Sequence, residues 1–380
     1  MKKQDLYARH YASRETVRLR WQNGTITQYE VLPDQTAPAW WIAPGLLDLQ
    51  VNGYGGVDFQ SEGLNAEALL RAVRGLRAAG CTRFLLTLTT DEWSALTAKL
   101  RHLRELRSQS EELQVSIAGW HIEGPFLSAE PGFHGAHDPS LLLDPTSDHI
   151  HELRALTQGD PLMLTIAPER KGAIEAIRLA VTLGARVSLG HTNASVQVLA
   201  DAIAAGATGF THLGNACPQA LDRHDNIIWR VFETPGLTVS LIPDRIHVSP
   251  ALFRLVHRIL PIETIYYVSD AMAAAGSPPG RYRFGKTEVD VGVDRVVRQS
   301  GKTHFAGSAV CPVDAVFHAA EMLGISWQEA WGRYVLAPAD MAGLPSGFGL
   351  GQRADFCLVK VSPKDKLTEL KVFFGGQAGE

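Results

Sequence analysis

The sequence predicts an α/β fold, a (β/α)8 TIM barrel with a small β-sandwich domain formed from both termini. Eight short apolar runs follow one another along the chain, helical patterns fill most gaps between them, and β-rich segments stand at both ends. Strands that alternate with helices form a parallel sheet, and eight such units over about 250 residues close into a barrel. An open doubly wound sheet is the alternative, but no G-x-G-x-x-G fingerprint follows the first run.

Two strands and a linker are predicted before the barrel. Thr16–Arg20 and Thr25–Glu30 flank Asn23-Gly24, a pair typical of a tight β-hairpin turn. The stretch Leu32–Pro38 is expected to be a linker. The eight barrel strands are predicted at Ile42–Leu49, Phe84–Thr87, Val115–Trp120, Leu162–Ile166, Val187–Leu189, Gly209–Thr211, Leu237–Ile242 and Thr264–Val268.

Helices are predicted between these strands and after the last of them. A β-rich tail follows, with strands at Ala354–Val361 and Glu369–Phe374 around a turn at Ser362–Asp365. We therefore expect residues 1–43 and 345–380 to form one composite β domain, and residues 44–344 to form the barrel. Predicted helices include Ala66–Ala79, Trp93–Leu106, Ile174–Leu183, Val196–Ala205, Pro250–Ile259, Val313–Met322 and Trp327–Tyr334.

The composition argues against several classes of protein. Hydrophobic residues make up 45% of the 380 and charged residues 20%, which is ordinary for a globular chain. A net charge of −4 without a basic run does not suit a nucleic-acid binder. No apolar stretch reaches the roughly 20 residues of a membrane helix, and the polar start lacks the apolar core of a signal peptide. Four scattered cysteines suit free thiols, so we expect a cytoplasmic location.

Polar side chains cluster directly after the predicted barrel strands, where barrel enzymes carry their catalytic groups. A histidine or a carboxylate follows at least five of six strands, a pattern that packing alone does not explain. The segments after these six strands are Asp48–Gly56, His121–Pro125, Gly190–Asn193, Thr211–Asn215, Pro243–His247 and Ser269–Ala271.

Glu123, His191 and His212 are the predicted metal ligands. One carboxylate and two imidazoles at the same barrel mouth are typical of a catalytic metal site that keeps one position open for water. His121 stands two residues before Glu123 and would point to the same side of an extended strand. It is therefore the main competitor for the ligand role.

Asp270 and His247 are the candidate catalytic side chains. Asp270 follows the last barrel strand and could exchange a proton with a water and a leaving nitrogen; its alternative roles are a helix N-cap or a partner for a ligand histidine. His247 could donate to a polarised carbonyl oxygen, or it is a structural histidine at a strand end. His134 and His137 lie in a glycine-rich loop that forms either a substrate contact or a surface turn.

Five motifs carry a resemblance to a known family. They stand in family order and close to family spacing, as GWHIEGPF, GHTNA, THLGNACP, DRIHV and SDA. The chain resembles the N-acetylglucosamine-6-phosphate deacetylases of the amidohydrolase superfamily, from Pro44–Asp48 through to the tail at Gly347–Asp355. The five motifs together are specific for the family, whereas any one of them alone is a weak signal.

The resemblance implies a role for each matching residue. Glu123, His191 and His212 match the metal ligands. Asp270 matches the general base and acid, and His247 matches the histidine that polarises the acetyl carbonyl. The matching substrate contacts are Ala136, His137, Asn215, Ala216, Phe305, Ala306 and Gly307.

The first barrel strand bears on the number of metal ions. Superfamily members with two metals carry His-x-His here, whereas this chain has Gln50-Val51-Asn52, which lacks the two basic nitrogens. Within the family this variant resembles the single-metal form. The resemblance therefore implies one divalent ion per subunit, with zinc as the first choice and iron, cobalt or manganese as alternatives.

Two arginines bear on the phosphate end of the implied substrate. Arg223 matches an arginine that reaches the sugar phosphate from the neighbouring subunit, which implies a homodimer. Arg245 stands where family members usually carry glycine, and the segment Cys217–Asn226 also departs from the family pattern. We expect Arg245 to give either a second phosphate or carboxylate contact at the mouth, or a solvated side chain or structural ion pair.

The implied function is removal of the N-acetyl group of N-acetylglucosamine 6-phosphate, giving glucosamine 6-phosphate and acetate. The expected mechanism is attack by a metal-activated water with Asp270 as general base and then acid. One alternative is deacylation of a related N-acyl amino sugar or N-acyl amino acid that lacks the 6-phosphate. Another is a catalytically inactive sugar-phosphate sensor. Neither a nucleic-acid nor a membrane partner is expected.

Overall fold

The computed structural model describes residues 4–32, 38–301 and 305–379. The predicted linker Leu32–Pro38 lies almost wholly outside these residues, as do residues 1–3 and 380 of the predicted composite domain. The strands in the described ranges are β1 (Gln4–His10), β2 (Thr16–Gln22), β3 (Thr25–Val31), β4 (Trp41–Pro44), β5 (Leu46–Val51), β6 (Gly53–Tyr54), β7 (Val57–Asp58), β8 (Cys81–Thr89), β9 (Ile117–Glu123), β10 (Leu162–Ile166), β11 (Arg186–Leu189), β12 (Gly209–Phe210), β13 (Thr238–Leu241), β14 (Ile265–Tyr267), β15 (Gly280–Phe284), β16 (Thr287–Val291), β17 (Val297–Gln299), β18 (Phe356–Val361), β19 (Leu367–Phe374) and β20 (Gln377–Ala378). The helices are α1 (Ala66–Ala78), α2 (Trp93–Ser108), α3 (Glu111–Ser116), α4 (Ser147–Thr157), α5 (Ala173–Thr182), α6 (Val196–Ala204), α7 (Ile227–Glu233), α8 (Pro250–Ile259), α9 (Pro312–Leu323), α10 (Trp327–Gly332) and α11 (Leu336–Ala342).

Eight parallel strands form the barrel and pair side by side in chain order. They are β5, β8, β9, β10, β11, β12, β13 and β14. Apolar residues dominate these strands because helices cover the outer face and side chains fill the inside. All eight predicted barrel strands overlap observed ones, and the predicted TIM barrel is confirmed.

The first predicted strand, Ile42–Leu49, is wrong as a single element. The chain forms two strands there, β4 in the terminal sheet and β5 in the barrel, and it changes sheet at Gly45. A Cβ atom at Gly45 would collide with the side chain of Thr82 on β8, so glycine lets the backbone pass close to the barrel wall. An unbroken apolar run does not reveal such a change of sheet, because both strands are buried.

Hydrogen bonds between β5 and the segment after β14 close the barrel. The Asn52 N–H donates to the Ala271 carbonyl at 2.7 Å. The buried Asp48 carboxylate accepts from the Ser269 N–H at 3.0 Å and from the Tyr334 hydroxyl at 3.1 Å. Burial raises the pKa of Asp48 to about 6, and these donors compensate for the loss of water around the carboxylate.

Strands from both ends of the chain form one seven-stranded sheet, in the order β20-β19-β18-β4-β1-β2-β3. The sheet curls so that Trp21 of β2 packs edge-on against Phe356 of β18 and Phe373 of β19. The Trp21 indole N–H also donates to the Gly376 carbonyl at 2.9 Å. The predicted small β domain built from both termini is thereby confirmed, as a single sheet folded over on itself. The division of the chain after residues 43 and 344 stays a prediction.

A three-stranded antiparallel sheet of β15, β16 and β17 follows the last barrel strand, and the sequence did not predict it. Its strands are three to five residues long and only partly buried, so no apolar run marks them. The β15–β16 turn is tied to segments that follow the first two barrel strands, because the Gly285 N–H donates to Asp58 of β7 at 2.8 Å and Lys286 pairs with Asp91 after β8 at 2.7 Å.

The predicted helices are all present, with ends that shift by at most a few residues. Helix α8 has the predicted bounds because Ser249 accepts from the Leu252 N–H and Pro250 takes the first helical position. In the part of the chain that the structure describes, no helix is both long and apolar enough to span a membrane.

Candidate active site

The loops after the barrel strands enclose one cavity of about 620 Å³. Because the carboxyl ends of parallel strands meet at one end of a barrel, residues far apart in the sequence line it together. Phe284 and Phe305 add side chains from the three-stranded sheet and the segment after it. The described lining residues are Thr89, Glu123, Gly132, Gly135, Ala136, His137, His191, His212, Gly214, Asn215, Ala216, Cys217, Pro218, Gln219, Leu221, Ile228, His247, Asp270, Phe284, Phe305 and Gly307.

Four lining residues other than glycine have a left-handed backbone conformation. The φ angle is 51° at His191, 34° at His212, 50° at Ala216 and 50° at Asp270. Each conformation costs about 1–2 kcal/mol in a residue other than glycine. Strain of this kind concentrates at functional sites, where the surrounding structure fixes the side chains.

Glu123, His191 and His212 form a compact buried group with exposed fractions of 3%, 6% and 4%. His212 Nε2 lies 2.9 Å and His191 Nε2 lies 3.2 Å from the same Glu123 oxygen, Oε1. The two Nε2 atoms are 3.2 Å apart. The ligand atoms of all three residues lie within 4.8 Å of one another, so a single ion could contact each of them.

The donor atoms of this group fit a metal ion. His191 Nδ1 lies 3.2 Å from the Phe133 carbonyl oxygen, which can only accept, so Nδ1 carries the proton and Nε2 presents a lone pair. That lone pair faces the Glu123 carboxylate, which is also an acceptor, and only a cation or a shared proton bridges two acceptors. Burial lowers the pKa of His191 and so disfavours a second proton on its ring, which leaves a cation as the bridge. One carboxylate oxygen and two imidazole nitrogens suit a divalent transition metal.

His121 does not join this group. It is fully buried, its Nε2 lies 2.8 Å from Thr165 Oγ1, and its Nδ1 lies 3.5 Å from Thr87 Oγ1. Both ring nitrogens therefore have hydroxyl partners inside the barrel, and burial lowers the pKa of His121 to about 4. Of the two candidates on β9, the structure brings Glu123 together with the two histidines.

Asp270 lines the same cavity and is held by one strong hydrogen bond. Asn52 Nδ2 donates to Asp270 Oδ1 at 2.7 Å. Burial raises the pKa of Asp270 to about 7, and the charge of Glu123 adds to the shift, whereas a bound cation acts in the opposite direction. A carboxyl group whose pKa lies near neutrality can both accept and return a proton.

His247 is oriented by Asp244, three residues before it. His247 Nδ1 lies 2.6 Å from Asp244 Oδ2, and the other Asp244 oxygen accepts the main-chain N–H groups of Ile246 and His247 at 2.8 Å. Burial opposes the ionised form of Asp244, but the His247 charge and these bonds lower its pKa overall. The sequence reasoning gave Asp244 no role, although its place in the DRIHV motif was an available signal.

Most of the remaining predicted contacts line the cavity: Ala136, His137, Asn215, Ala216, Phe305 and Gly307. The His137 ring packs edge-on against His191, with centroids 4.6 Å apart, and its Nδ1 lies 2.7 Å from Thr90 Oγ1. His134 instead lies against the His137 carbonyl at 3.0 Å. Ala306 is buried against the three-stranded sheet and is not part of the lining.

Neither predicted arginine lines the cavity. Arg223 is exposed, and its Nε lies 2.9 Å from Nε2 of the adjacent His224. Arg245 pairs with Glu321 of α9 at 2.6 Å. The predicted ion pair of Arg245 is therefore present, and the predicted contact with the substrate stays a prediction.

Glu169 after β10 is a further residue that the sequence reasoning missed. It accepts from the Thr192 hydroxyl and, at 3.0 Å, from the Asn193 N–H. It thereby holds the turn that contains His191. Its position after the fourth barrel strand was the only signal, because a single glutamate in a loop is usually solvated.

Comparison with solved structures supports the fold and the family. The chain superimposes with a TM-score of 0.87 and 30% identity on a mutant N-acetyl-D-glucosamine-6-phosphate deacetylase from Mycobacterium smegmatis in complex with N-acetyl-D-glucosamine 6-phosphate, covering 100% of this chain and 99% of that one. N-isopropylammelide isopropylaminohydrolase from Burkholderia multivorans, at 14% identity and a TM-score of 0.58, shares the fold. No family model matches the sequence.

Curated relatives decide the family. The chain is 32% identical over 349 residues to the N-acetylglucosamine-6-phosphate deacetylase of Danio rerio, covering 88% of this chain and 83% of the relative. The chain belongs to the N-acetylglucosamine-6-phosphate deacetylase family. This family consists of hydrolases of amide bonds, so the protein is an enzyme of that class. N-acetylgalactosamine-6-phosphate deacetylase of Escherichia coli O157:H7 is 30% identical over 336 residues, covering 87% of this chain and 86% of the relative.

Proposed function

We propose that this enzyme removes the N-acetyl group of N-acetylglucosamine 6-phosphate and releases glucosamine 6-phosphate and acetate. One observation carries the proposal. A buried carboxylate with two imidazoles, a second carboxylate with a raised pKa, and an imidazole held by an aspartate line one cavity in a member of this family. These are the groups that hydrolysis of an amide requires.

The proposed metal ligands are Glu123, His191 and His212, which would hold one divalent ion. Such an ion supplies Lewis acidity, which lowers the pKa of a water and polarises an amide carbonyl. Glu123 contributes one negative charge, and two neutral imidazoles add none, so the site keeps a net positive charge toward the substrate. We put zinc first, while iron, cobalt and manganese suit the same donors.

Asp270 is the proposed general base and acid. Asn52 occupies its Oδ1, which leaves Oδ2 to take a proton from the attacking water. The water oxygen then bonds to the acetyl carbon. As the C–N bond breaks, the proton held on Asp270 passes to the departing nitrogen, because an amine leaves far more readily when it is protonated.

His247 is proposed to stabilise the negative charge that develops on the acetyl oxygen. Its Nδ1 proton is engaged by Asp244, so Nε2 is the atom available to the substrate when the ring carries both protons. A donor that is already oriented stabilises a developing oxyanion without reorganisation during the reaction.

The phosphate of the substrate requires cations from outside the described cavity lining, which contains no lysine or arginine. We propose that Arg223, which is exposed, reaches the phosphate in the neighbouring subunit, so that the active form is a homodimer. A guanidinium can bind a phosphate through two parallel N–H groups. A cytoplasmic location completes the proposal, supported by four cysteines that form no disulfide.

N-acetylgalactosamine 6-phosphate is the second candidate substrate. The relative named for that activity is 30% identical to this chain, nearly as similar as the Danio rerio glucosamine enzyme at 32%. The two sugars differ only in the orientation of the hydroxyl at carbon 4. Either sugar would therefore present its acetyl group and its phosphate to the same parts of the cavity.

The test is acetate release from N-acetylglucosamine 6-phosphate, its galactosamine isomer, N-acetylglucosamine and an N-acetyl amino acid. Each is measured on chelator-treated protein with and without added zinc. We expect zinc-dependent cleavage with a preference of about a hundredfold or more for the phosphorylated glucosamine derivative. Preference for the galactosamine isomer would favour the second candidate. Tight binding without acetate release would indicate a sensor and overturn the proposal.

A further inference from the structure

Two buried amide side chains hold the two carboxylates of the site, and neither lines the cavity itself. We propose that Gln50 and Asn52 are positioning residues, in which Gln50 fixes the metal ligand Glu123 and Asn52 fixes the acid–base residue Asp270. The inference rests on the proposed function, because it needs those roles for Glu123 and Asp270.

Gln50 reaches Glu123 from the first barrel strand. Gln50 Nε2 donates to Glu123 Oε1 at 2.9 Å, and the Gln50 side chain is 1% exposed. The Gln50 main-chain N–H donates to Asp48 Oδ1 at 3.1 Å, which fixes the backbone from which the side chain extends. This hydrogen bond therefore restricts rotation of the Glu123 carboxylate and keeps its Oε1 facing both His191 and His212.

Asn52 reaches Asp270 from just beyond the same strand. Asn52 Nδ2 donates to Asp270 Oδ1 at 2.7 Å, and the Asn52 main-chain N–H donates to Ala271 at 2.7 Å. The backbones of Asn52 and of the residue after Asp270 are thus hydrogen-bonded to each other at the seam of the barrel, where the first strand meets the segment after the last. One oxygen of Asp270 is occupied, and the other stays available for proton transfer.

Packing alone does not explain the asparagine. Asn52 is 1% exposed, and its Oδ1 finds no hydrogen-bond partner among the described residues. A buried acceptor without a partner is unfavourable, and a leucine, which branches in the same way but has no polar atom, would avoid that loss. The hydrogen bond from Asn52 Nδ2 to Asp270 offsets the cost of this unpartnered acceptor.

The neutral charge of both amides suits this role. A lysine or arginine in either place would pair with its carboxylate and compete with a metal ion for Glu123 or with a proton for Asp270. An amide N–H orients a carboxylate and stabilises its ionised form without adding charge. Groups of this kind are what hold metal-ligating and catalytic side chains in place.

The experiment compares Gln50→Met with Asn52→Leu, which remove one donor each. Zinc affinity is measured by competition with a chromogenic chelator, and kcat and KM are measured at saturating zinc. We expect Gln50→Met to weaken zinc binding by about 10–100-fold. Asn52→Leu should keep zinc affinity within about twofold and lower kcat by about 100-fold, with KM nearly unchanged.

Gln60→Met is the matched control. Gln60 is 3% exposed and its amide bonds only to the main chain, donating to the Thr87 carbonyl at 2.9 Å and accepting from the Thr89 N–H at 3.0 Å. We expect it to lower the melting temperature without changing zinc affinity or kcat. A merely structural role for the two amides would make all three variants behave alike.

Several outcomes would overturn the inference. They are unchanged zinc affinity in Gln50→Met, a kcat within about threefold of wild type in Asn52→Leu, or a Gln60→Met variant that reproduces either loss. If the wild type binds zinc but cleaves none of the sugars, the proposed function has failed and the Asn52 role falls with it. Zinc affinity alone then decides the Gln50 role.

Discussion

Asp270 is the residue on which the proposed chemistry depends most. Asp270→Asn keeps the size and the contact with Asn52 but removes the base, so we expect kcat to fall roughly 10²–10⁴-fold with zinc still bound. Acetate release and elemental analysis on the same sample check this. Near-normal turnover would show that another group handles the proton.

His191 tests the metal ligands separately from catalysis. His191→Ala removes one of the three proposed metal-binding side chains, so we expect the purified protein to lose its zinc and its turnover together. The control is His151→Ala, which changes an exposed histidine on α4. Full zinc occupancy in His191→Ala would contradict the ligand assignment.

Arg245 shows how an unusual residue can be structural. It has a φ of 67° and pairs with Glu321, which is 68% exposed. Arg245→Gly loses an exposed ion pair, worth about 0–1 kcal/mol, and relieves left-handed strain of about 1 kcal/mol. We therefore expect little change in the free energy of unfolding and an unchanged KM for the sugar phosphate. A KM raised severalfold would instead indicate a contact with substrate.

At the level of elements, Asp48 joins the first barrel strand to the last. It accepts from the main-chain N–H groups of Gln50 and Ser269 and from the Tyr334 hydroxyl. Asp48→Asn places an N–H₂ group among these donors, so we expect a loss of about 1–3 kcal/mol in the free energy of unfolding. Urea denaturation measures it, with Asp365→Asn as control.

Asp365 is a suitable control because it is exposed and has a φ of 53°, a conformation that asparagine adopts readily. Equal stability of both variants would mean that the buried carboxylate does not hold the seam of the barrel.

The three-stranded sheet shows how an inserted element completes a site. Its β15–β16 turn is tied to Asp58 of β7 and to Asp91 after β8, and Phe284 at the end of β15 lines the cavity. Loops and small elements at the carboxyl ends of strands vary among barrel enzymes while the barrel stays the same. Substrate preference is therefore expected to depend on this region more than on the barrel strands.

At the scale of the whole molecule, the open question is whether one subunit completes the cavity of another. Arg223→Ala and Asp270→Asn should each be inactive alone. If Arg223 acts across the interface, mixing the two variants after reversible dissociation should restore about a quarter of wild-type sites, because half of the dimers are mixed and each has one intact site. No recovery in confirmed mixed dimers would mean that Arg223 acts within its own chain or not at all.

Much of this molecule could be predicted from residue type and spacing. The apolar runs predicted the eight barrel strands, because a strand buried on both faces needs apolar residues throughout. The histidines and carboxylates after those strands predicted the cavity, because parallel strands bring their carboxyl ends together. Glu123, His191 and His212 do meet there.

Prediction from the local sequence pattern failed where contacts with residues distant in the sequence decide the structure. The change of sheet at Gly45 depends on Thr82 of the neighbouring strand, and the short strands of the three-stranded sheet are held by their pairing and by Asp58 and Asp91. The sequence predicted Glu123 as the metal ligand and left His121 as its main competitor. The tertiary structure separates the two, because the His121 ring lies against Thr87 and Thr165 while Glu123 meets the two histidines.

The sequence alone determined the fold class, the family resemblance and the set of polar groups at the barrel mouth, since periodicity and residue type are properties of the chain itself. The tertiary structure decided which donor meets which acceptor. Gln50 and Glu123 are 73 positions apart, and Asn52 and Asp270 are 218 apart. A hydrogen bond acts over about 3 Å, so only the closed barrel brings such pairs within reach and assigns each amide to its carboxylate.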